Sequence, residues 1–367
     1  MTPAGVIDAC AFHDVRSTDD LLPYLGSGWS DLLAIENVKA RGEWQNHRPF
    51  VGDALPEDPD AFLARLDAQP QTERVVLGYH EGLLAAGLPS GYKARAIVRA
   101  LNDWTIDRWL ERDDRLYGHV LVRSAEPDEA AREIRRVGAH EKIVAVALGP
   151  NGLNQPFGHL AYGPIYDAAA ELGLPVVLQA GADNVADLGT APTSIGLTAT
   201  YAEYEAMAAA PLITHLTSLV SSGVFDRHRD LRLLVLGGGL AWVPQLLWRL
   251  DPIYRVVRRV DMPWSDRLPS EIFAEHVRLG TYSLESPPAA ELAALFGLIP
   301  DVESLLLYTS GYPSAGWETA ERIAERVPVA SERLLAGNAR DLYRWPAAAS
   351  LKGGDAGERN LGMDKGA

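Results

Sequence analysis

The sequence is poor in cysteine, in basic residues and in long apolar runs, and each shortage excludes a class of protein. Cys10 is the only cysteine among 367 residues, so neither an intrachain disulfide nor a cysteine-rich zinc site can form. The formal net charge is −15, whereas nucleic-acid binding needs a basic face, so we expect no nucleic-acid partner. No uninterrupted run of about 18 apolar residues is present, so we also expect no membrane span.

The first residues, MTPAGVIDAC, do not have the charged and then apolar segments of a signal peptide, so we expect none. A lone cysteine fits the reducing cytoplasm, where we expect the protein to reside. Apolar residues make up 47% of the chain, which is typical of a globular protein with a substantial core.

Eight short apolar runs alternate along the chain with stretches whose apolar residues recur at spacings of three and four. The runs are VIDACAF (6–12), RVVLGY (74–79), LYGHVLV (116–122), IVAVALG (143–149), PVVLQAG (175–181), LRLLVLG (231–237), VRLGTYS (277–283) and SLLLYTS (304–310). Spacings of three and four are those of helices that cover a sheet. Eight buried strands, each followed by a helix, predict an α/β fold of the (β/α)8 TIM-barrel type, with a doubly wound open sheet as the competing arrangement.

We expect one barrel domain over residues 1–346. Residues 35–65 are polar and punctuated by proline, and we interpret them as an insertion after the first strand. This insertion is either a lid or wall of the barrel mouth or a plain surface excursion. Residues 347–367 are rich in glycine and show no apolar periodicity, so we expect a disordered tail.

Six segments carry a family resemblance: VIDACAFHD, LPVVLQAGA, SSGVFDRHRDLRLLVLGGGLAWVPQLLWRLD, PSEIFAEHVRLGTYSLESP, LLLYTSGYPSAGWET and ERLLAGNARDLYRW. They resemble the amidohydrolase-related family that includes aminocarboxymuconate-semialdehyde decarboxylase, aromatic-acid decarboxylases and lactone hydrolases. The resemblance runs from about residue 5 to residue 346. It implies hydrolysis or carbon–carbon lyase chemistry on a small molecule at the mouth of a barrel.

The chain departs from this family at the metal ligands. The family usually has Asp-x-His-x-His on strand 1, a histidine at the end of strand 5, a histidine or glutamate near the glycines of strand 6, and Ser-Asp-Tyr-Pro-His at the end of strand 8. The corresponding residues here are Cys10 and Phe12, Gln179, Leu236 and Gly237, and Gly311 and Ser314. Zinc needs three or four nitrogen, sulfur or carboxylate ligands. We therefore expect the metal centre to be dismantled and no cofactor to be bound.

Three residues near the carboxyl ends of strands are candidates for catalysis: Cys10, His13 and His80. Cys10 is either a nucleophile activated by His13 or a small apolar residue that fills the place of a ligand. His13 is either a general acid or base at the mouth or a loop cap paired with Asp14. His80, with Glu81 beside it, is either a proton carrier or a structural residue.

Six residues are candidates for substrate binding: Gln179, Asp183, His215, Ser310, Tyr312 and Ser314. Gln179 can hydrogen-bond a substrate carbonyl or carboxylate, with Ser310 as a further orienting group. His215 lies on an apolar helix face and is either a core residue or, as the resemblance implies, part of the mouth.

Two further patterns, a group of aromatic residues and a run of glycines, have both a functional and a purely structural interpretation. Tyr312, Trp317 and Tyr282 would form an aromatic wall for a planar substrate, although aromatic residues are as often plain packing. The glycines of LGGGLAW suggest a phosphate loop only weakly, because no GK[ST] follows, and a close turn explains them better.

The leading hypothesis is an enzyme of small-molecule metabolism that uses metal-independent acid–base chemistry for hydrolysis, decarboxylation, or dehydration or cyclisation. The first alternative is an inactive relative that binds a ligand or partner. The second is a metalloenzyme with a rebuilt ligand set, such as Cys10, His13 and His215. Trp242 and Trp248 are compatible with a homodimer interface and equally with burial inside a monomer.

Overall fold

The computed structural model describes residues 5–15, 18–29, 58–80, 82–149, 151–180, 200–314 and 316–346. Within them, eight parallel strands form one sheet in the order β1 to β8. The strands are β1 (Val6–His13), β2 (Thr72–Tyr79), β3 (Leu116–Val122), β4 (Ile143–Leu148), β5 (Val176–Gln179), β6 (Leu233–Leu236), β7 (Val277–Gly280) and β8 (Leu306–Leu307). A doubly wound sheet would reverse its strand order, so this consecutive order confirms the (β/α)8 prediction.

Backbone hydrogen bonds bring the two ends of the sheet together between β1 and the residues that follow β8. The amide of Ala9 donates to the carbonyl of Tyr308 (2.9 Å), and the amide of Gly311 donates to the carbonyl of Cys10 (3.0 Å). These bonds leave the barrel nearly closed and fix the loop after β8 against β1.

Helices connect the strands and form the outer layer. The α-helices are α1 (Pro59–Asp67), α2 (Gly82–Ala85), α3 (Gly91–Arg108), α4 (Pro127–Val137), α5 (Gly163–Glu171), α6 (Tyr201–Ala206), α7 (Ala209–Ser221), α8 (Val224–Arg227), α9 (Trp242–Val257), α10 (Pro269–His276), α11 (Ala289–Phe296), α12 (Val302–Leu305), α13 (Ala320–Arg326) and α14 (Asn338–Tyr343). Short 3-10 turns lie at Thr18–Tyr24, Leu110–Arg112 and Leu160–Tyr162, and a π-helical turn at Arg333–Gly337 precedes α14. Capping residues in the sequence explain where helices begin. Helix α3, for example, begins after Ser90, whose hydroxyl accepts a hydrogen bond from the Lys93 amide.

The buried apolar side chains of the described residues form two separate clusters. The larger lies between the sheet and the helices, and the smaller fills the barrel interior. Leu342 and Tyr343 of α14 join the inner cluster, where the Tyr343 hydroxyl donates to the carbonyl of Ala9 (3.2 Å). Helix α14 therefore closes the amino-terminal end of the barrel and leaves its carboxyl end as the side where a site can open.

A register shift in β1 decides which of its side chains face inward. Asp8 pairs with Val75 and Ala11 with Leu77, so β1 has one more residue than β2 over this span. Asp8 consequently lies on the helix side of the sheet, whereas Cys10 and Phe12 belong to the inner cluster.

Part of the predicted insertion, and all of the predicted tail, lie outside the described residues. The described end of the insertion is helix α1, whose Phe62 and Leu66 are buried against the barrel. Trp242 is buried within the chain and Trp248 is exposed, so the homodimer stays a prediction. Among the described helices, none combines the length and hydrophobicity that a membrane crossing requires.

Candidate active site at the carboxyl end of the barrel

Among the described residues, the aromatic and polar side chains that reach the barrel interior at its carboxyl end include Phe12, His80, Gln179 and Tyr282. Phe12 and Tyr282 belong to the inner cluster. Val76 and Val177 also belong to it, and because strand side chains alternate, His80 and Gln179 point to the same side. The structure therefore places His80 and Gln179 on the inner side at the carboxyl end, and their roles in catalysis and binding stay predictions.

Aromatic rings fill the centre of this region. The Phe12 ring lies 5.3 Å from the Tyr282 ring, centroid to centroid, at an interplanar angle of 80°, and 5.2 Å from the His80 ring. Edge-to-face contacts at this distance are favourable beyond their buried area. We call Phe12, His80 and Tyr282 the aromatic cluster of the mouth.

The aromatic cluster occupies the space that the family's strand-8 aspartate would need. Gly311 stands at that position with φ +65°, and a Cβ there would lie 1.9 Å from Cδ2 of Tyr282. Only glycine tolerates both this backbone conformation and this contact. The ring of Tyr282 thus replaces a carboxylate.

The residues at the family's ligand positions do not fit a metal. Phe12 and Gly311 have no donor atom, and Gln179 offers only an amide oxygen. Burial, with a smaller contribution from Asp8, raises the pKa of the Cys10 thiol well above its usual value, whereas zinc binds the thiolate. Among the described residues, no group of three or more His, Cys, Asp or Glu side chains is arranged to hold a metal ion.

Below the aromatic cluster lies His119, a residue that the sequence analysis did not single out. A Cβ on Gly78 would lie 2.8 Å from Cys10 Sγ and 3.4 Å from His119 Nδ1, so the thiol and the imidazole flank this glycine. His119 is buried, its Nε2 has no hydrogen-bond partner among the described residues, and burial lowers its pKa to about 3. The one available signal was its inward position on β3, two residues after Tyr117.

His13 does not face the mouth, and that prediction is wrong. Because β1 continues through His13, its side chain points to the helix layer. Its ring meets the carbonyl of Gly78 at Nδ1 (2.9 Å) and the hydroxyl of Thr105 at Nε2 (2.8 Å), and it stacks on Trp104. A neutral ring that donates from Nδ1 and accepts at Nε2 satisfies both contacts. Burial lowers the His13 pKa to about 4.

Ser310 and Ser314, both predicted to bind substrate, form hydrogen bonds within and around the loop after β8. The backbone amide of Ser310 donates to the Asp8 carboxylate (2.9 Å), and its hydroxyl accepts from the Tyr312 amide (3.1 Å). The Ser314 hydroxyl donates to the carbonyl of Gly311 (2.6 Å). Both serines are buried, so these bonds shape the loop.

Of the three residues of the predicted aromatic wall, the structure places Tyr282 in the mouth. Tyr312 packs in the outer layer, with the Arg65 guanidinium 3.5 Å above its ring and Trp317 edge-on at 5.1 Å between centroids. The register of β1 and the left-handed Gly311 turn Tyr312 away from the interior. Tyr312 and Trp317 therefore follow the alternative interpretation, plain packing, and only Tyr282 of the three described residues lies in the mouth.

The glycine-rich turn after β6 already binds a carboxylate of the protein itself. Gly237, Gly238 and Gly239 all have positive φ, as the close turn requires. The Glu285 carboxylate accepts hydrogen bonds from the amides of Leu240 (2.8 Å) and Ala241 (3.0 Å) at the start of α9. This anion at a helix N-terminus fills the position that a phosphate would take.

His215 lies in the core, as the plainer interpretation of its helix face predicts. Its Nδ1 accepts from the Phe157 amide (3.2 Å), and the two rings are 4.3 Å apart between centroids. The alternative metal set of Cys10, His13 and His215 therefore does not converge. Asp183 and Glu81 lie outside the described residues.

Comparisons with known proteins agree with this fold. The sequence profile described as amidohydrolase matches residues 44–298, more than half of the chain. The gamma-resorcylate decarboxylase of Rhodococcus jostii (strain RHA1) is 28% identical over 204 residues, which span 52% of this chain and 59% of that enzyme. The match therefore covers less than two thirds of that enzyme's length.

Solved structures show the same barrel. The 5-carboxyvanillate decarboxylase of Sphingomonas paucimobilis superimposes with a TM-score of 0.67 at 18% identity, covering 93% of this chain and 99% of that one. The 5-carboxyvanillate decarboxylase of Novosphingobium aromaticivorans, complexed with manganese and 4-hydroxy-3-methoxy-5-nitrobenzoic acid, superimposes with a TM-score of 0.64 at 17% identity, covering 93% and 96%. At these identities the likeness concerns the fold.

Proposed function

Because the chain belongs to the amidohydrolase family, we propose that it is an enzyme that acts on a small organic acid at the barrel mouth without the family's metal centre. The observation that carries this proposal is the contact of Phe12 and Tyr282 over Gly311, where the resemblance implies metal ligands. An apolar ring contact offers no ligand and excludes water, so the remaining chemistry depends on neighbouring polar side chains.

A small aromatic acid is the substrate class that the mouth favours. The aromatic cluster presents ring faces and edges to a planar ligand. Gln179 forms no side-chain hydrogen bond with another described residue, so its amide is available for a carboxylate or phenol oxygen. The relatives named above are decarboxylases of aromatic acids, which agrees with this class.

Decarboxylation is the reaction that these residues support best, because it needs a proton donor and no activated water. A protonated His80 would transfer its proton to the ring carbon that bears the carboxylate. The carbon–carbon bond then breaks, its electron pair returns to the ring, and carbon dioxide leaves. Gln179 would hold the substrate oxygen, and His80 would regain its proton from solvent. Hydrolysis, dehydration and cyclisation are weaker assignments, because each needs a further base.

The test is turnover of a panel of hydroxybenzoic acids, followed by chromatography of the decarboxylated product, with and without a chelator. We expect activity that the chelator leaves unchanged. Replacement His80→Gln should lower kcat by roughly 10²- to 10⁴-fold, the usual contribution of a general acid. His140→Gln, just before β4 at the opposite end of the barrel, is the matched control. Activity that a chelator abolishes and manganese or zinc restores would refute the metal-independent assignment.

A catalytically inactive ligand-binding protein is the second candidate, and the interior titratable groups favour it. Burial raises the pKa of Cys10 and lowers that of His119, so neither of these two groups changes its charge near pH 7. Calorimetry separates the two candidates, because an inactive relative would bind an aromatic acid and release no product.

A further inference from the structure

A cavity of about 420 Å³ lies outside the barrel, on the helix side of β3. Its floor includes Val122 at the carboxyl end of β3, a residue of the outer apolar cluster. Helix α3, helix α4 and the turn Thr18–Tyr24 form its walls. Its volume lies within the range of small-molecule sites, and its lining shares no residue with the mouth described above.

The cavity presents cationic donors. Arg99, exposed on α3, forms no ion pair or side-chain hydrogen bond with another described residue. Arg95, one helical turn before it, contacts the Glu126 carboxylate (2.9 Å). Arg123 donates from one terminal nitrogen to the carbonyls of Ala86 and Leu88. Its buried Nε has no hydrogen-bond partner among the described residues and lies 3.8 Å from the Glu126 carboxylate.

The acidic side chains of the lining are already neutralised. Glu129 pairs with Arg132, and Glu133 forms a two-point ion pair with Arg136 (2.6 and 2.7 Å). Both arginines belong to α4, the helix of their partners. The charged groups of the lining that remain available to a ligand are therefore arginine donors. This local positive character contrasts with the net charge of −15 of the whole chain.

Aromatic rings form the other side of the cavity. The Trp29 and Tyr92 rings lie 4.6 Å apart, centroid to centroid, at 33°, and Tyr92 is 67% exposed. Tyr24 stands beside them with its hydroxyl bonded to Asp107. An exposed aromatic pair next to an unpaired guanidinium is suited to a planar anion.

We propose that this cavity is a separate binding site for a small aromatic monocarboxylate. The ring would lie on Trp29 and Tyr92, and the carboxylate would bind Arg99 and Arg95. We assign a monoanion because Arg99 is the one arginine of the lining that forms no ion pair with another described residue. The assignment is independent of the reaction proposed for the barrel mouth.

The experiment is calorimetric titration of the full chain with 4-nitrobenzoate, together with quenching of tryptophan fluorescence by the same probe. We expect Arg99→Gln to weaken binding at this site about tenfold, since it removes a charge-assisted hydrogen bond. Arg108→Gln, an exposed arginine of the same helix outside the lining, should change it less than about twofold. Trp29→Phe should remove the quenching.

Gln179→Leu distinguishes this cavity from the mouth. We expect the event that depends on Arg99 to persist in this variant, whether or not the mouth is active. Equal affinity in wild type and Arg99→Gln, no detectable binding at millimolar probe, or loss of the event in Gln179→Leu would each overturn the proposal.

Discussion

The inner and outer faces of β1 differ in polarity: the inner face is apolar, and the outer face holds a hydrogen-bonded histidine. A shift of one residue along the strand decides on which face that histidine lies. On the inner face, Cys10 and Phe12 stand among apolar side chains. On the outer face, His13 is hydrogen-bonded at both ring nitrogens. Because strand side chains alternate, an imidazole at position 13 lies on the opposite side of the sheet from one at position 12. Strand β1 therefore keeps a histidine and still directs no imidazole into the mouth.

The two faces also differ in how well their polar groups are satisfied. Outside, Thr105 joins the ring of His13 to the hydroxyl of Tyr79 (2.9 Å), and Tyr79 reaches Asn102 as well. Inside, His119 Nε2 is buried without a partner among the described residues. A buried group without a partner costs about 1–3 kcal/mol, so the inner face retains a polar residue that does not stabilise the fold.

The largest loss of stability should come from adding a methyl group at Gly311, which faces the barrel interior after β8. Gly311→Ala forces a Cβ against Tyr282 and places a side chain at positive φ. We expect the free energy of unfolding to fall by about 3 kcal/mol in urea denaturation. Gly316→Ala is the matched control, since its Cβ would lie 3.8 Å from the same ring. Equal stability of the two variants would show that Tyr282 does not occupy this space.

Acid should lower the stability of the fold through one buried histidine on each side of the sheet, His13 outside and His119 inside. Unfolded histidines take up protons below about pH 6.5, whereas His13 stays neutral to about pH 4 and His119 to about pH 3. The unfolded state then binds more protons, so stability falls as pH falls through this window. By pH 5 each residue should lower the free energy of unfolding by about 2 kcal/mol.

His119→Leu tests the inner share of this acid sensitivity. We expect the difference in unfolding free energy between pH 7 and pH 5 to shrink by about 2 kcal/mol, with stability at pH 7 unchanged or slightly higher. His159→Gln, an exposed histidine, serves as the control. An unchanged pH dependence in His119→Leu would mean that this imidazole is protonated in the folded chain.

A smaller effect is expected at the glycine turn. Glu285→Gln removes the charge that the amides of Leu240 and Ala241 bind, and should lower the free energy of unfolding by about 1 kcal/mol. Glu325→Gln, an exposed residue of α13, should change it by a few tenths. Tight inorganic phosphate binding by wild-type protein at this turn would contradict the account, since Glu285 already fills it.

The sequence was sufficient for the barrel, because all eight apolar runs are long enough to specify a buried strand. It was less informative about side-chain direction. The end of β1 lies one residue later than the pattern suggests, which moved His13 out of the site. Similarly, the left-handed Gly311 turned Tyr312 outward. His119 was missed because its inward position on β3 does not indicate a function until the barrel brings it beside Cys10.

The central claim is that ring packing has replaced the metal centre, and metal content tests it most directly. The measurement is elemental mass spectrometry of protein purified without chelators and without a histidine tag. We predict less than about a tenth of an equivalent of zinc, manganese, iron or cobalt per chain. About one equivalent that survives dialysis and is lost in Cys10→Ser would contradict the account and identify a metalloenzyme with a different ligand set.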